Sequence, residues 1–174
     1  MNPLGHRDKF HLQAAEGWLE LGSTEEAQLE LNQIQPLFQE HPDVLEIKWH
    51  VLARRKSWNA CVDIANTLIR VVPERASGWI HLSFALHELK LTEDAYTNLA
   101  GMLSNFPDEP VIPYNLACYC CQMGRLDEAK QWLQSTFKLK RGTGMVNKAL
   151  EDPDLKPLWG FLKGDRAMNE DSLI

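Results

Sequence analysis

The sequence repeats itself at an offset of 34 residues, and this period constrains the fold more than any other feature of the chain. One register holds only small residues: Ala27, Cys61, Ala95 and Ala129. Three further registers are mostly apolar or small: Trp18, Leu52, Leu86 and Cys120; Ala15, Trp49, Ser83 and Ala117; Ile34, Leu68, Met102 and Thr136. A fixed period of this length is typical of solenoids, which stack one supersecondary unit on the next.

Each unit predicts two helices joined by a turn. In the last unit, apolar residues recur at helical spacing over residues 114–123, and Gly124 then ends the helix by tolerating a left-handed conformation. A second helix is predicted over residues 126–139, with acids near its N-terminus. The turn register holds Gly22, Lys56, Lys90 and Gly124. Sustained period-two alternation is absent, so no sheet is expected.

Prolines mark the ends of the second helices. Pro73 and Pro107 lie one period apart, each just beyond a second helix that proline cannot continue, and the third unit's second helix is predicted over residues 92–106. Pro42 lies three residues later than this register, which predicts a longer second helix in the first unit.

The period and residue types resemble the tetratricopeptide repeat (TPR) over about residues 9–140. The fourth unit matches at Tyr114-Asn115-Leu116-Ala117, Gly124 and Asp127-Glu128-Ala129; the third at Trp79, Leu82, Ser83, Leu86, Ala95, Leu99 and Pro107; the first at Ala15, Trp18, Leu21, Gly22 and Ala27. The second unit departs from the pattern at Lys48 and Lys56, where Leu and Gly are usual. The resemblance implies an all-α fold, a right-handed α-α superhelix of about four helix-turn-helix repeats.

The domain boundaries follow from the period. We expect a leader over residues 1–8, four repeats over 9–141 (about 9–42, 43–75, 76–109 and 110–141), a C-terminal cap over 142–163 and a flexible tail over 164–174. Asp152-Pro153-Asp154-Leu155 predicts a helix start inside the cap, with proline at the first helical position. A solenoid needs such a lid because its last repeat otherwise exposes an apolar stacking face.

The resemblance also implies a function, which is to bind a peptide or helix of another protein in a concave groove lined by the first helix of each repeat. Carried onto this chain, the groove comprises Gln13, Glu16, Glu20, Glu46, His50, Arg54, Ile80, His81, Phe84, His87, Glu88, Tyr114, Asn115, Cys118, Cys121 and Gln122. Its N-terminal half is acidic and its C-terminal half is aromatic, which favours a partner with a basic end and an apolar anchor. Leu12 and Glu16 replace the Lys and Asn that hold a carboxylate in chaperone-binding TPR domains, so that mode of binding is not expected.

Charge and composition disfavour several other classes. The formal net charge of −6 argues against nucleic-acid binding. Apolar runs are too short for membrane insertion, and the N-terminal residues lack the apolar core of a signal peptide. The cysteine spacing does not suit a secreted disulfide framework, so we expect a cytoplasmic protein. We also expect no cofactor.

Three alternatives compete with partner binding. Enzyme activity is not expected, because no nucleophile, base and orienting group are placed together by any motif. Metal binding would use His81, His87, Cys118 and Cys121, since thiolates and imidazoles suit zinc, but buried structural cysteines are more common. Self-assembly would use the apolar cap residues 158–162 to pair with a second copy.

Overall fold

The computed structural model describes residues 3–163, which form α-helices and two short 3₁₀ segments and contain no β-strand. The chain divides into two compact units, Met1–Leu89 and Lys90–Ile174. The first unit contains α1 (His6–Glu20), α2 (Thr24–Gln33), α3 (Pro42–Arg54), α4 (Trp58–Val71) and α5 (Ala76–Glu88). The second contains α6 (Thr92–Ala100), α7 (Val111–Gln122), α8 (Leu126–Lys138) and α9 (Met145–Glu151). The 3₁₀ segments are Pro36–Phe38 and Pro153–Leu158.

The small-residue register forms the helix crossings. In the first unit α1 packs on α2 and α3 packs on α4, and in the second α7 packs on α8. Ala27, Cys61, Ala95 and Ala129 are all completely buried, with 0% of each residue exposed. A side chain larger than these would hold the paired helices apart, which explains why the register stays small. The prediction of an all-helical fold is confirmed for residues 3–163.

The turns within the repeats share one backbone conformation. Gly22 and Gly124 have φ of 83° and 76°, and the lysines of the same register, Lys56 and Lys90, have φ of 54° and 68°. A left-handed conformation costs a residue with a Cβ about 1–2 kcal/mol. The two lysines therefore keep the glycine geometry of the repeat at a local energetic cost.

The second helix of the first repeat is shorter than predicted. α2 ends at Gln33, and the additional residues form the 3₁₀ turn Pro36–Phe38. The residue before a proline is disfavoured in the α-region, and Gln35 accordingly takes ψ of 145°. The three extra residues before Pro42 therefore lie in this connection and not in α2. The expectation of a longer helix was wrong.

The second helix of the third repeat is also shorter than predicted. α6 ends at Ala100, six residues before Phe106, and Gly101 follows it. Hydrogen bonds from Met102 N to Leu99 O and from Asn105 N to Met102 O then continue the chain as successive turns. Glycine is about 1 kcal/mol poorer than alanine inside a helix, which favours termination at this point.

The first helix begins inside the predicted leader. α1 starts at His6, and Asp8 is buried with 0% of the residue exposed. Its carboxylate accepts hydrogen bonds from Gln35 N and Gln35 Nε2, each at 2.9 Å. Asp8 thus ties α1 to the segment after α2, a role that repeat spacing does not reveal. The predicted tail, residues 164–174, lies outside the described residues.

Within residues 3–163, no helix has both the length and the apolar character needed to cross a bilayer.

Candidate functional site

The predicted groove residues of the first unit lie on α1, α3 and α5, and we call the surface they share the first-helix face. Most of them reach solvent. Gln13, Glu16, Glu20, His50, Arg54 and Phe84 are exposed; Glu46, Ile80, His81 and Glu88 are partly buried; His87 is buried. The burial of His87, which is 6% exposed, leaves it little surface to offer a partner.

A pocket of about 260 Å³ opens on this face between α1 and α3. Glu16, Glu20, His50 and Arg54 form its polar wall, and Leu19 and Ile47 supply apolar surface. Four predicted groove residues from two helices therefore converge on one cavity. Leu19 and Ile47 were not among the predicted residues. Each lies beside a predicted groove residue on the same helix, and that neighbouring position could have identified them as part of the pocket wall.

A polar network lies where α3 meets α5. The imidazole Nε2 of His81 lies 2.6 Å from Glu46 Oε2, and the Ser77 hydroxyl donates to the other oxygen of Glu46. Burial opposes ionisation of Glu46, but the hydrogen bonds from His81 and Ser77 outweigh it, so the pKa of this carboxyl is lowered. The carboxylate form is the one that the network stabilises.

Aromatic rings fix the positions of the histidines in this network. The ring of Trp49 stacks on His81 with a centroid separation of 3.9 Å and an interplanar angle of 9°. His50 meets His81 edge-on at 5.3 Å. Desolvation of the His50 ring, followed by the neighbouring His81, lowers the pKa of His50 and outweighs the opposing effect of Glu46. Phe84 lies beside the stack, 6.0 Å from Trp49 and 5.9 Å from Trp58 between ring centroids.

The corresponding positions on α7, in the second unit, are covered by the chain itself. Tyr114, Cys118 and Cys121 are only 2%, 5% and 6% exposed. The 3₁₀ segment Pro153–Leu158 packs against α7, and the Tyr114 hydroxyl donates to Asp152 Oδ2 at 2.8 Å. A partner has no access to these three side chains in this arrangement.

The remaining predicted positions of α7 lie at the edge of the covered surface. Gln122 is exposed and its amide donates to the Asp154 carbonyl at 3.4 Å, whereas Asn115 is partly buried. Asp152 caps the covering segment by accepting from Asp154 N at 3.0 Å, with Pro153 at the first helical position. Leu155, Leu158 and Leu162 are buried, so these apolar cap residues are covered within the chain.

The cysteines of α7 are held as thiols. Burial, reinforced by Asp152 and Asp154, raises the pKa of Cys118 well above its usual range and that of Cys121 to about 11. Zinc binds the thiolate, so the alternative metal set of His81, His87, Cys118 and Cys121 would have to ionise both buried thiols. Within residues 3–163, the group whose potential ligand atoms approach one another closely is instead Glu46, His50 and His81.

The chain matches no protein-family model and no curated protein. Its fold does match solved structures. MamA from Desulfovibrio magneticus RS-1 is similar with a TM-score of 0.68 and 16% identity, over 98% of this chain and 92% of that one. PilF from Pseudomonas aeruginosa is similar with a TM-score of 0.71 and 21% identity, over 90% and 70%. A thermophilic TPR protein from Thermus thermophilus is similar with a TM-score of 0.68 and 16% identity, over 89% and 98%.

These similarities, at such low identity, concern the fold alone. They agree with the 34-residue period, with the four left-handed turns and with the buried small-residue register. The chain is a TPR-like helical protein with an α-α superhelical fold.

Proposed function

We propose that the chain is a protein-interaction module whose first unit binds a peptide or helix of a partner protein. The observation that carries this proposal is the pocket between α1 and α3, because residues from the first helices of two successive repeats line it. Clefts with apolar surface and a few convergent polar groups are the usual form of a binding site.

The lining of the pocket suggests the chemistry of the partner. Leu19 and Ile47 favour an aliphatic or aromatic anchor, and the carboxylates of Glu16 and Glu20 favour a basic side chain next to it. Exposed ion pairs contribute about 0–1 kcal/mol each, so the carboxylates select the partner, whereas burial of the anchor supplies most of the affinity. Phe84, 37% exposed on α5, offers further apolar surface in the same unit.

The four cysteines are all unpaired, which favours a reducing compartment for this encounter.

Selection of peptides from a random displayed library tests the proposal. Wild-type protein should enrich sequences that combine Lys or Arg with a nearby large apolar residue. The selected peptides should bind the double variant Glu16→Lys/Glu20→Lys at least about tenfold more weakly than they bind the wild type, because two attractive contacts become repulsive.

The matched control is Asp63→Lys/Glu74→Lys, which changes the net charge equally at exposed positions outside α1, α3 and α5. The control should bind the selected peptides as wild type does. Equal loss of binding in both double variants would show that total charge, and not the pocket, governs binding. Enrichment of acidic peptides would contradict the proposed partner chemistry.

A further inference from the structure

Three side chains on α3 and α5 converge in a way that partner binding does not require. Glu46 and His50 are four residues apart on α3, so they share one helix face. His81 approaches them from α5, and one ligand atom from each of the three side chains lies within 4.8 Å of the other two. Two imidazoles and one carboxylate are a donor set that zinc and neighbouring transition metals prefer.

The supporting contacts around these side chains resemble those of a built metal site. Ser77 donates to one oxygen of Glu46, which orients the carboxylate and leaves its other oxygen facing His81. Trp49 is 6% exposed and stacks flat on His81, so the imidazole plane is fixed by packing. Such surrounding contacts hold metal ligands in position and are often needed for affinity.

We propose that Glu46, His50 and His81 form a binding site for a divalent transition-metal ion of the zinc class. Three protein ligands leave a tetrahedral ion with one further position, which water or a donor from a bound partner would occupy. The site borders the pocket through His50, which belongs to both.

The simplest competing interpretation is an ion pair between His81 and Glu46. That pair explains the 2.6 Å contact but gives no role to His50, whose ring lies 5.3 Å from that of His81.

The charges around the proposed metal site act in both directions. Arg54 lines the same pocket and disfavours a cation, whereas Glu16 and Glu20 line it and favour one.

Calorimetric titration of untagged, chelator-treated protein with zinc chloride tests the site. Wild type should bind one zinc ion. His50→Ala and His81→Ala should each weaken binding more than about 100-fold, and Ser77→Ala should weaken it about tenfold, as expected for loss of an orienting contact. His6→Ala, which removes an exposed histidine at the start of α1, should bind zinc as wild type does.

His50→Ala is the decisive variant, because His50 is exposed and its removal leaves the Trp49–His81 stack in place. Circular dichroism should show unchanged helix content for it. All four cysteines are retained in every variant, so zinc held by thiols would persist in His50→Ala and would overturn the proposal. Absence of zinc uptake by the wild type would overturn it as well.

The two proposals are tested by separate variants. The peptide selection depends on Glu16 and Glu20, the zinc titration on Glu46, His50 and His81, and neither set of variants includes a residue of the other. Failure of one proposal therefore leaves the other to be judged by its own result.

Discussion

The first-helix positions of the two units have the same place in the repeat but opposite surroundings. On α1 and α3 they open onto solvent and line a pocket. On α7 they are buried under Pro153–Leu158, a segment that follows the last repeat. Sequence position within a repeat thus defines which way a side chain faces, whereas the rest of the chain decides whether that face is available for binding.

The covering of α7 depends on both polar and apolar contacts. Asp152 accepts from the Tyr114 hydroxyl and from Asp154 N, and Leu155 and Leu158, which belong to the segment, are buried. Burial, with Asp152 as the next cause, raises the pKa of Tyr114 far above its ordinary range, so this hydroxyl remains a donor at physiological pH.

The largest expected effect follows from removing the main apolar contact of this segment. Leu155→Ala should lower the free energy of unfolding by about 2–5 kcal/mol, because Leu155 is fully buried and the substitution leaves a cavity. Chemical denaturation measures this. Lys156→Ala, at the exposed neighbouring position, should change stability by less than about 0.5 kcal/mol.

The same variant tests whether α7 becomes accessible. In Leu155→Ala, alkylation of Cys118 and Cys121 should accelerate, since both thiols lie under the segment. Cys61 in the first unit serves as the internal reference, because burial raises its pKa to about 11 and keeps it unreactive. Equal acceleration at Cys61 would indicate general unfolding and would break the comparison between the two units.

The next effect concerns the turn that leads into the cap. A Cβ at Gly142 would lie 1.9 Å from Thr136 O, whereas a Cβ at Gly144 would have no heavy atom within 4 Å. Gly142→Ala should therefore cost about 1–3 kcal/mol in the free energy of unfolding, as overpacking against backbone displaces the turn. Gly144→Ala is the matched control, and thermal unfolding of the pair measures the difference. Equal stabilities would mean that this turn does not position the cap.

The smallest expected effect concerns the left-handed turn conformation that Lys56 and Lys90 share. Lys56→Gly and Lys90→Gly should each raise the free energy of unfolding by about 0.5–1 kcal/mol, because relief of the left-handed strain exceeds the entropy that glycine loses on folding. Lys140→Gly, at an exposed turn position without positive φ, should not stabilise. Stabilisation by only one of the two substitutions would show that the two turns are not equivalent.

Much of the fold was predictable because the period reports it directly. The left-handed turns follow from Gly22 and Gly124, and Lys56 and Lys90 share their register and their geometry. The repeat pattern also named the four polar residues that line the pocket on α1 and α3, but not the apolar Leu19 and Ile47. Lys48, at a position where Leu is usual, needed the structure to explain it: its ammonium donates to the Gln39 carbonyl at 2.8 Å.

The covered face and the histidine cluster were not predictable from the period. Tyr114, Cys118 and Cys121 are buried by a segment that lies outside the repeats, and no repeat rule states where that segment folds. His81 approaches Glu46, which lies 35 residues earlier in the sequence, one residue more than the period. Such a contact depends on side-chain direction at a helix crossing, which the repeat period does not report.

The central claim, an open first-helix face in the first unit and a covered one in the second, is tested most directly by hydroxyl-radical footprinting of the intact protein. Oxidation should be rapid at Phe84, and it should be slow at Tyr114, Cys118 and Cys121 despite the high intrinsic reactivity of tyrosine and cysteine. Rapid oxidation of Tyr114 and Cys118, at the rates measured for the unfolded chain, would contradict the account.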